Sequence, residues 1–307
     1  MGAKVTDNFN WFKDNGIYMP MINDTGRNIF YKAAIERAAP GKVVCDIGTG
    51  SGMLSIIAAK AGATKVYAVE QDPGRAEFAK DIFNKLGLTN IEVINDDFFN
   101  TDIHADVFVS ETIGSQVFNE NIIAIAEHAL RHGGEFIPAV FDLRLEVFEH
   151  HPIFPMVQFR SDAFEFQPDV SIDSAYEEIV NTQFQNKHPL DQTMYRANCI
   201  HDLFRELPKF NDLKLNKLYE TEPLRVDLNA PVNMDSIKLT VPIDKIPKDT
   251  NICVVLFWTA RYQDLEMRLV DTIWGYPDKI IVSDYMTPDT DIDMWYDHSI
   301  QDWRLKF

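Results

Sequence analysis

The stretch Val43-Val44-Cys45-Asp46-Ile47-Gly48-Thr49-Gly50-Ser51-Gly52-Met53 decides the fold. A short, mostly apolar run is followed by three alternating glycines, and then by an apolar stretch of helical spacing from Met53 to Ala61. That order reads as strand, tight turn, helix. Glycines there let the chain make the turn and let its backbone pass close to a ligand. The same grammar continues downstream. Lys65 to Glu70 reads as a strand, Gly74 to Leu86 as a helix, Ile91 to Asn95 and Val107 to Ser110 as strands, and Asn121 to Arg131 as a helix. Upstream, Ile29, Phe30, Ala33 and Ala34 mark a helix over 28–38, stopped by Pro40-Gly41. Apolar strands separated by helices predict an α/β, doubly wound, mostly parallel sheet of Rossmann-like form over residues 40–139.

The pattern changes after Pro138. Asp142 to Val147 and Ile237 to Val241 alternate polar and apolar residues, as half-buried antiparallel strands do. Cys253 to Trp258 and Lys279 to Val282 read as two more strands. Residues 140–307 are therefore expected to form a β-rich second domain, with a helical insertion at about 161–214 that includes a helix near Asp173 to Phe184. The acidic tail from Asp289 to Asp302 is dotted with aromatics, Trp295 and Tyr296 among them and Trp303 just after, which suits a packed hairpin or arm better than a free tail.

Composition limits what the chain does. Its 307 residues are 46% hydrophobic and 25% charged, the balance of a soluble globular protein. With 29 Lys+Arg against 47 Asp+Glu the formal net charge is −18, which disfavours nucleic acid or anionic membrane as the main partner and favours a cationic one. Cys45, Cys199 and Cys253 are odd in number and widely spaced, suiting reduced thiols in a cytoplasmic setting rather than a disulfide framework. The first residues contain no apolar core of a secretory signal, and no apolar run approaches the roughly 20 residues of a membrane span. No metal site is expected.

The glycine turn predicts the ligand. Gly48, Gly50 and Gly52 have the spacing G-x-G-x-G rather than the dinucleotide G-x-G-x-x-G, and Asp46 just before them disfavours a pyrophosphate and suits an ammonium group. Glu70, at the end of the next strand, is placed to accept hydrogen bonds from both ribose hydroxyls. Asp97, past the third strand, is placed to meet an adenine amino group, and Phe98 to cover the ring. An adenosine joined to an amino acid rather than to phosphate is S-adenosylmethionine.

The fourth strand runs into Ser110-Glu111-Thr112-Ile113-Gly114-Ser115-Gln116-Val117-Phe118-Asn119-Glu120. Strand carboxyl ends in such sheets are where ligands bind. Glu111 and Glu120, nine residues apart (111 to 120), bracket a loop with a glycine, so a loop that turns back brings both carboxylates to one guest.

With these motifs in view, the sequence resembles the protein arginine methyltransferase family. The likeness is specific from about Trp11 to Pro138 and looser beyond. Met21 to Arg27 resembles the family's helix over the cofactor, with Arg27 where an arginine grips the methionine carboxylate. Val44 to Val66 is similar to its glycine motif and the run after it, and Glu111 and Glu120 match the glutamates of its double-E loop. The resemblance implies methylation of arginine in a protein or peptide, or of a small guanidine such as free arginine, or else a catalytically inactive partner protein. It also implies that residues 1–39 form a helical segment over the cofactor, that residues 140–307 form a β-barrel-like substrate domain with a helical arm at about 161–214, and that the chain is a homodimer. The chain departs from the family pattern at Thr112 and Ile113, where tryptophan and methionine are usual. It departs again at Thr272-Ile273-Trp274, where the family has Thr-His-Trp. Trp274 is the expected substrate contact, and the absent histidine deprives Asp24 of its usual partner.

Overall fold

The computed structural model describes residues 21–22, 24–114, 116–150, 213–248, 250–272, 280–282 and 290–306. The expected arm and helix near Asp173 to Phe184, and Ile273 and Trp274, lie outside those residues. Helix α1 spans Thr25–Ala38. It begins three residues before the apolar pattern does, because the Asp24 side chain caps it by accepting from the backbone N–H of Arg27.

Strands β1 (Val43–Ile47), β2 (Lys65–Val69), β3 (Ile91–Ile94), β4 (Val107–Ser110) and β5 (Glu135–Ile137) form a parallel sheet in the order β3-β2-β1-β4-β5. Helices α2 (Met53–Lys60), α3 (Pro73–Lys85) and α4 (Ile122–Leu130) make the connections. Central strands β1 and β4 are buried almost throughout, as apolar strands covered on both faces must be. Strand β3 lies at the edge and keeps only partial cover. The order reverses between β1 and β4, so the crevice outside their carboxyl ends is the expected binding place in such a sheet.

Two antiparallel sheets make up the β-rich half. In the larger one β6 (Val140–Glu149) pairs with β10 (Ile252–Tyr262) along nearly its whole length, from Val140 opposite Arg261 to Glu149 opposite Ile252. Strands β7 (Lys217–Glu220), β8 (Leu224–Asp227), β11 (Leu265–Arg268) and β12 (Ile280–Val282) extend it. In the smaller sheet β13 (Ile292–Asp297) pairs with both β9 (Lys238–Val241) and β14 (Asp302–Lys306). The aromatic tail is thus a hairpin, as its composition suggests. Its Tyr296 and Trp303 pack around Phe118, with Phe118 and Trp303 stacked at 6.2 Å between centroids. Among the described residues no helix is long and apolar enough to cross a membrane. Cys45 and Cys253 are both buried and neither forms a disulfide among the described residues.

Candidate active site

A cavity of about 460 Å³ opens at the carboxyl ends of the parallel strands. Four of the five strands each deliver one wall: Ile47 and Gly48 at the end of β1, Val69 and Glu70 at the end of β2, Asp96 and Asp97 past β3, Glu111 and Thr112 past β4. Met21, Ile22 and Arg27 close it from the side of α1.

The glycine turn is shaped for this approach. Gly48 and Gly52 have φ of 73° and 85°, in the left-handed region. A methyl group on Gly52 would also come within 2.5 Å of the Phe83 ring. The Glu70 carboxylate accepts from the backbone N–H of Gly50 at 3.0 Å and from that of Asp72 at 2.9 Å. Each of its oxygens retains a further lone pair for a donor in the cavity, which fits a diol.

Asp46 takes a different part from the one expected of it. It is not among the cavity-lining residues; its Oδ2 accepts from the Thr49 hydroxyl, the Ser55 hydroxyl and the Ser55 backbone N–H, at 2.6–3.0 Å. It therefore ties the glycine turn to the first turn of α2. Its Oδ1 is buried with no hydrogen-bond partner, and burial pushes the carboxyl up to about 6 against those stabilising bonds. A cation entering the cavity is the natural counter-charge for it.

Asp97 and Phe98 both line the cavity, but their side chains are partly committed. Asp97 accepts from the backbone N–H of Phe99, starting the 3-10 turn Phe98–Asn100, while Asp96 accepts from the Asn100 amide. Phe98 is 5% exposed, packed edge-on against Phe108 and His128. Its neighbour Phe99, 44% exposed and also on the cavity wall, presents the more accessible ring, a residue that apolar patterning alone could not separate from Phe98.

The loop after β4 does turn back. Val117 N–H donates to the Gly114 carbonyl, and the Asn119 side chain lies where any Cβ on Gly114 would be, 2.2 Å from it. Val117, a β-branched residue, has φ of 60°, and Asn121, capping α4, has φ of 65°. Such a backbone persists only where its surroundings hold it. Here the C-terminal hairpin does so: Tyr296 Oη donates to the Phe118 carbonyl and Trp303 Nε1 to the Gln116 carbonyl, both at 3.0 Å. Sequence reading placed those aromatics in a packed hairpin and missed the loop they hold.

Glu111 and Glu120 both reach the cavity wall. Glu111 Oε2 lies 2.7 Å from Arg27 Nη1, and Arg27 Nη2 donates to the Met21 carbonyl. Burial raises the Glu111 carboxyl to about 7; Arg27 opposes the rise and Glu120 adds to it. The Glu120 carboxyl is also raised, by desolvation, with Arg27 again opposing, although the residue as a whole is exposed at the mouth. Burial lowers the pKa of Arg27, but the charges of Glu111 and Asp24 outweigh it, so the guanidinium stays charged. Two carboxylates thus stand at one mouth, one of them already paired with a guanidinium. Tyr31 pins this arrangement from beneath, donating to the Ser110 carbonyl at 2.8 Å.

A family model described as a methyltransferase domain matches residues 38–195, just over half of the chain. The chain belongs to the methyltransferase domain family. Among curated relatives, the arginine N(omega)-methyltransferase of Streptomyces achromogenes subsp. streptozoticus is 36% identical over 123 residues, covering 38% of this methyltransferase chain and 34% of the relative. Protein arginine N-methyltransferase 6 of Xenopus laevis is 34% identical over 145 residues, covering 44% and 42% respectively. The chain thus spans well under half the length of these relatives. Among solved structures, that of PRMT6–SAH superposes with a TM-score of 0.60 at 16% identity over 95% of this chain and 98% of the other. Arabidopsis thaliana protein arginine methyltransferase 10 does so at 0.57 and 17% identity over 90% and 86%. These two share the fold: a parallel α/β sheet followed by antiparallel sheets.

Proposed function

We propose that this chain is an S-adenosylmethionine-dependent N-methyltransferase acting on the guanidinium of arginine in a protein or peptide, with residues 40–139 carrying the cofactor and 140–307 the substrate side. The observation that carries this reading is the convergence of Glu111 and Glu120 on the cavity that Glu70 and the glycine turn also line. The names of the curated relatives agree with it.

Bound S-adenosylmethionine supplies a methyl group activated by its sulfonium. Glu70 takes the ribose hydroxyls, Arg27 the methionine carboxylate, and the wall around Asp97, Phe98 and Phe99 the adenine. Asp46 balances the cofactor's positive charge from behind the turn. A guanidinium is a poor nucleophile because its lone pairs are delocalised and its pKa lies near 13.8. Glu111 and Glu120 draw positive charge toward the nitrogens they contact, so the remaining nitrogen recovers lone-pair character and faces the cavity. Alignment does most of the work in an in-line transfer. Glu120, on the solvent side, takes the released proton or passes it to water. The chain acts as a homodimer in the cytoplasm in this reading.

The test is mass spectrometry of turnover on an arginine-rich peptide, with free arginine in parallel. One added methylene on peptide arginine is expected. Methylation of free arginine alone would instead assign the site to small guanidines. Absence of product from either, with cofactor bound, would assign the chain to a non-catalytic role.

A further inference from the structure

Beyond Phe98 and Phe99, past the His128 ring that packs on both, lies a group of side chains that the chemistry above does not use. Asp102, His104 and His132 each offer one ligand atom, and these atoms all lie within 4.8 Å of one another. No other such trio occurs among the described residues. His132 Nδ1 is 3.0 Å from Asp102 Oδ1, and His104 Nε2 is 3.8 Å from the same oxygen. Two ligands about 2.1 Å from a tetrahedral cation stand ~3.4 Å apart, between the two observed separations.

The hydrogen-bond geometry around His104 also suits a cation. His104 Nδ1 is 3.0 Å from the backbone carbonyl of His132. A carbonyl only accepts, so this bond requires the hydrogen on Nδ1, and in the neutral ring that leaves Nε2, on the side of the cluster, as the ligating nitrogen. An imidazole whose second nitrogen donates to a backbone carbonyl is the arrangement that orients metal-binding histidines. The Asp102 and His104 side chains are 86% and 72% exposed, so an ion reaches them from solvent without any opening of the fold.

We propose that Asp102, His104 and His132 form a binding site for a divalent d-block cation of the zinc type, with water completing its coordination. Two imidazoles and one carboxylate select Zn²⁺, Co²⁺ or Ni²⁺ over the oxygen-seeking Mg²⁺ and Ca²⁺. The ligands come from two segments, the stretch after the Phe98–Asn100 turn and the turn that follows α4. A bound ion therefore clamps the back of the adenine wall to the end of α4. Binding to the folded chain alone raises its stability by mass action. The rival arrangement is a plain His132–Asp102 ion pair with the two histidine rings edge to face at 5.3 Å, which needs no metal.

The test uses the untagged full chain, stripped of metal by chelator and titrated with zinc chloride by calorimetry near neutral pH, where imidazoles are free to ligate. One ion per chain is expected, with affinity at least about tenfold weaker in His104→Ala and His132→Ala. His298→Ala, on the exposed turn after β13, should bind as the parent does. Zinc should raise the melting temperature of the parent and of His298→Ala more than that of His104→Ala at the same concentration. Should the alanine variants fail to fold, His104→Gln carries the same expectation. Cobalt(II) absorption in the visible region provides a second readout of the ligand set. Zinc binding of equal strength in parent and His104 variants, or none in the parent, overturns the proposal. Because binding is read without turnover, the result stands whether or not the methyltransferase reading holds.

Discussion

Arg27 Nη1 lies 2.7 Å from Glu111 Oε2, so the side chain assigned to the cofactor's carboxylate and the one assigned to the guest form a single part-buried ion pair. The pair links the two half-sites. It also keeps Glu111 ionisable, because the guanidinium offsets part of the desolvation that drives its pKa upward.

Replacing Glu111 by Gln keeps the shape and removes the charge. Turnover on an arginine peptide should fall at least about 100-fold, the scale of losing one key electrostatic contact. Near-normal methylation by mass spectrometry would sink the clamp.

Arg27→Ala acts at both half-sites. Cofactor affinity measured by calorimetry should drop by at least about tenfold, the scale of one charge-assisted contact. Without its partner, Glu111 should also titrate higher, moving the acid limb of the activity profile to higher pH. An unchanged affinity and an unmoved limb would refute the shared role.

The pH profile of the parent follows from the same group. The Glu111 carboxyl sits at about 7 instead of its ordinary 4.5, and the ionised form is the one that holds a guanidinium. The ratio kcat/KM should therefore rise with pH through about 7 and lose that limb in Glu111→Gln. Stability runs the opposite way. Between pH 4.5 and about 7 the folded chain keeps a proton that the unfolded chain has released, so stability falls as pH rises through that window. Melting curves of the parent and Glu111→Gln at the two ends should show the smaller difference in the variant.

Trp303→Phe keeps the stack on Phe118 and removes the donor to the Gln116 carbonyl. The expected loss is ~1–3 kcal/mol for an orphaned carbonyl, visible in denaturant unfolding. Turnover should fall with it, since the loop bearing Glu120 loses an anchor. Full activity in the variant would mean that the hairpin only packs.

Gly26→Ala tests the join between α1 and the β-rich half. The new methyl would stand 2.0 Å from the Asp271 carbonyl oxygen, a backbone atom, so helix or turn must shift. A cost of about 1–3 kcal/mol is expected, read as a lower melting temperature, together with weaker cofactor binding because Arg27 follows directly.

Local chemistry made much of this legible. The run from Val43 to Met53 has the period, the glycines and the apolar flanks of a strand-turn-helix, and each depends only on neighbours in sequence. The short edge strands β5, β7, β8 and β11 were not legible, because a three- or four-residue strand exists by virtue of its partner across the sheet. The part of Asp46 eluded sequence for a related reason. A carboxylate before a glycine turn serves equally to bind a guest or to tie the turn, and only the position of Ser55 and Thr49 shows that its Oδ2 is already taken.

Sequence by itself determined the sheet and the glycine turn, since backbone preference and the spacing of apolar residues are properties of a chain segment. Tertiary structure alone decided that Arg27 meets Glu111, that Asp24 caps α1, and that Tyr296 and Trp303 hold the loop between the glutamates from nearly two hundred residues away. Those contacts join segments whose approach is set by packing of the whole core. No local period encodes which distant donor will find a given carbonyl.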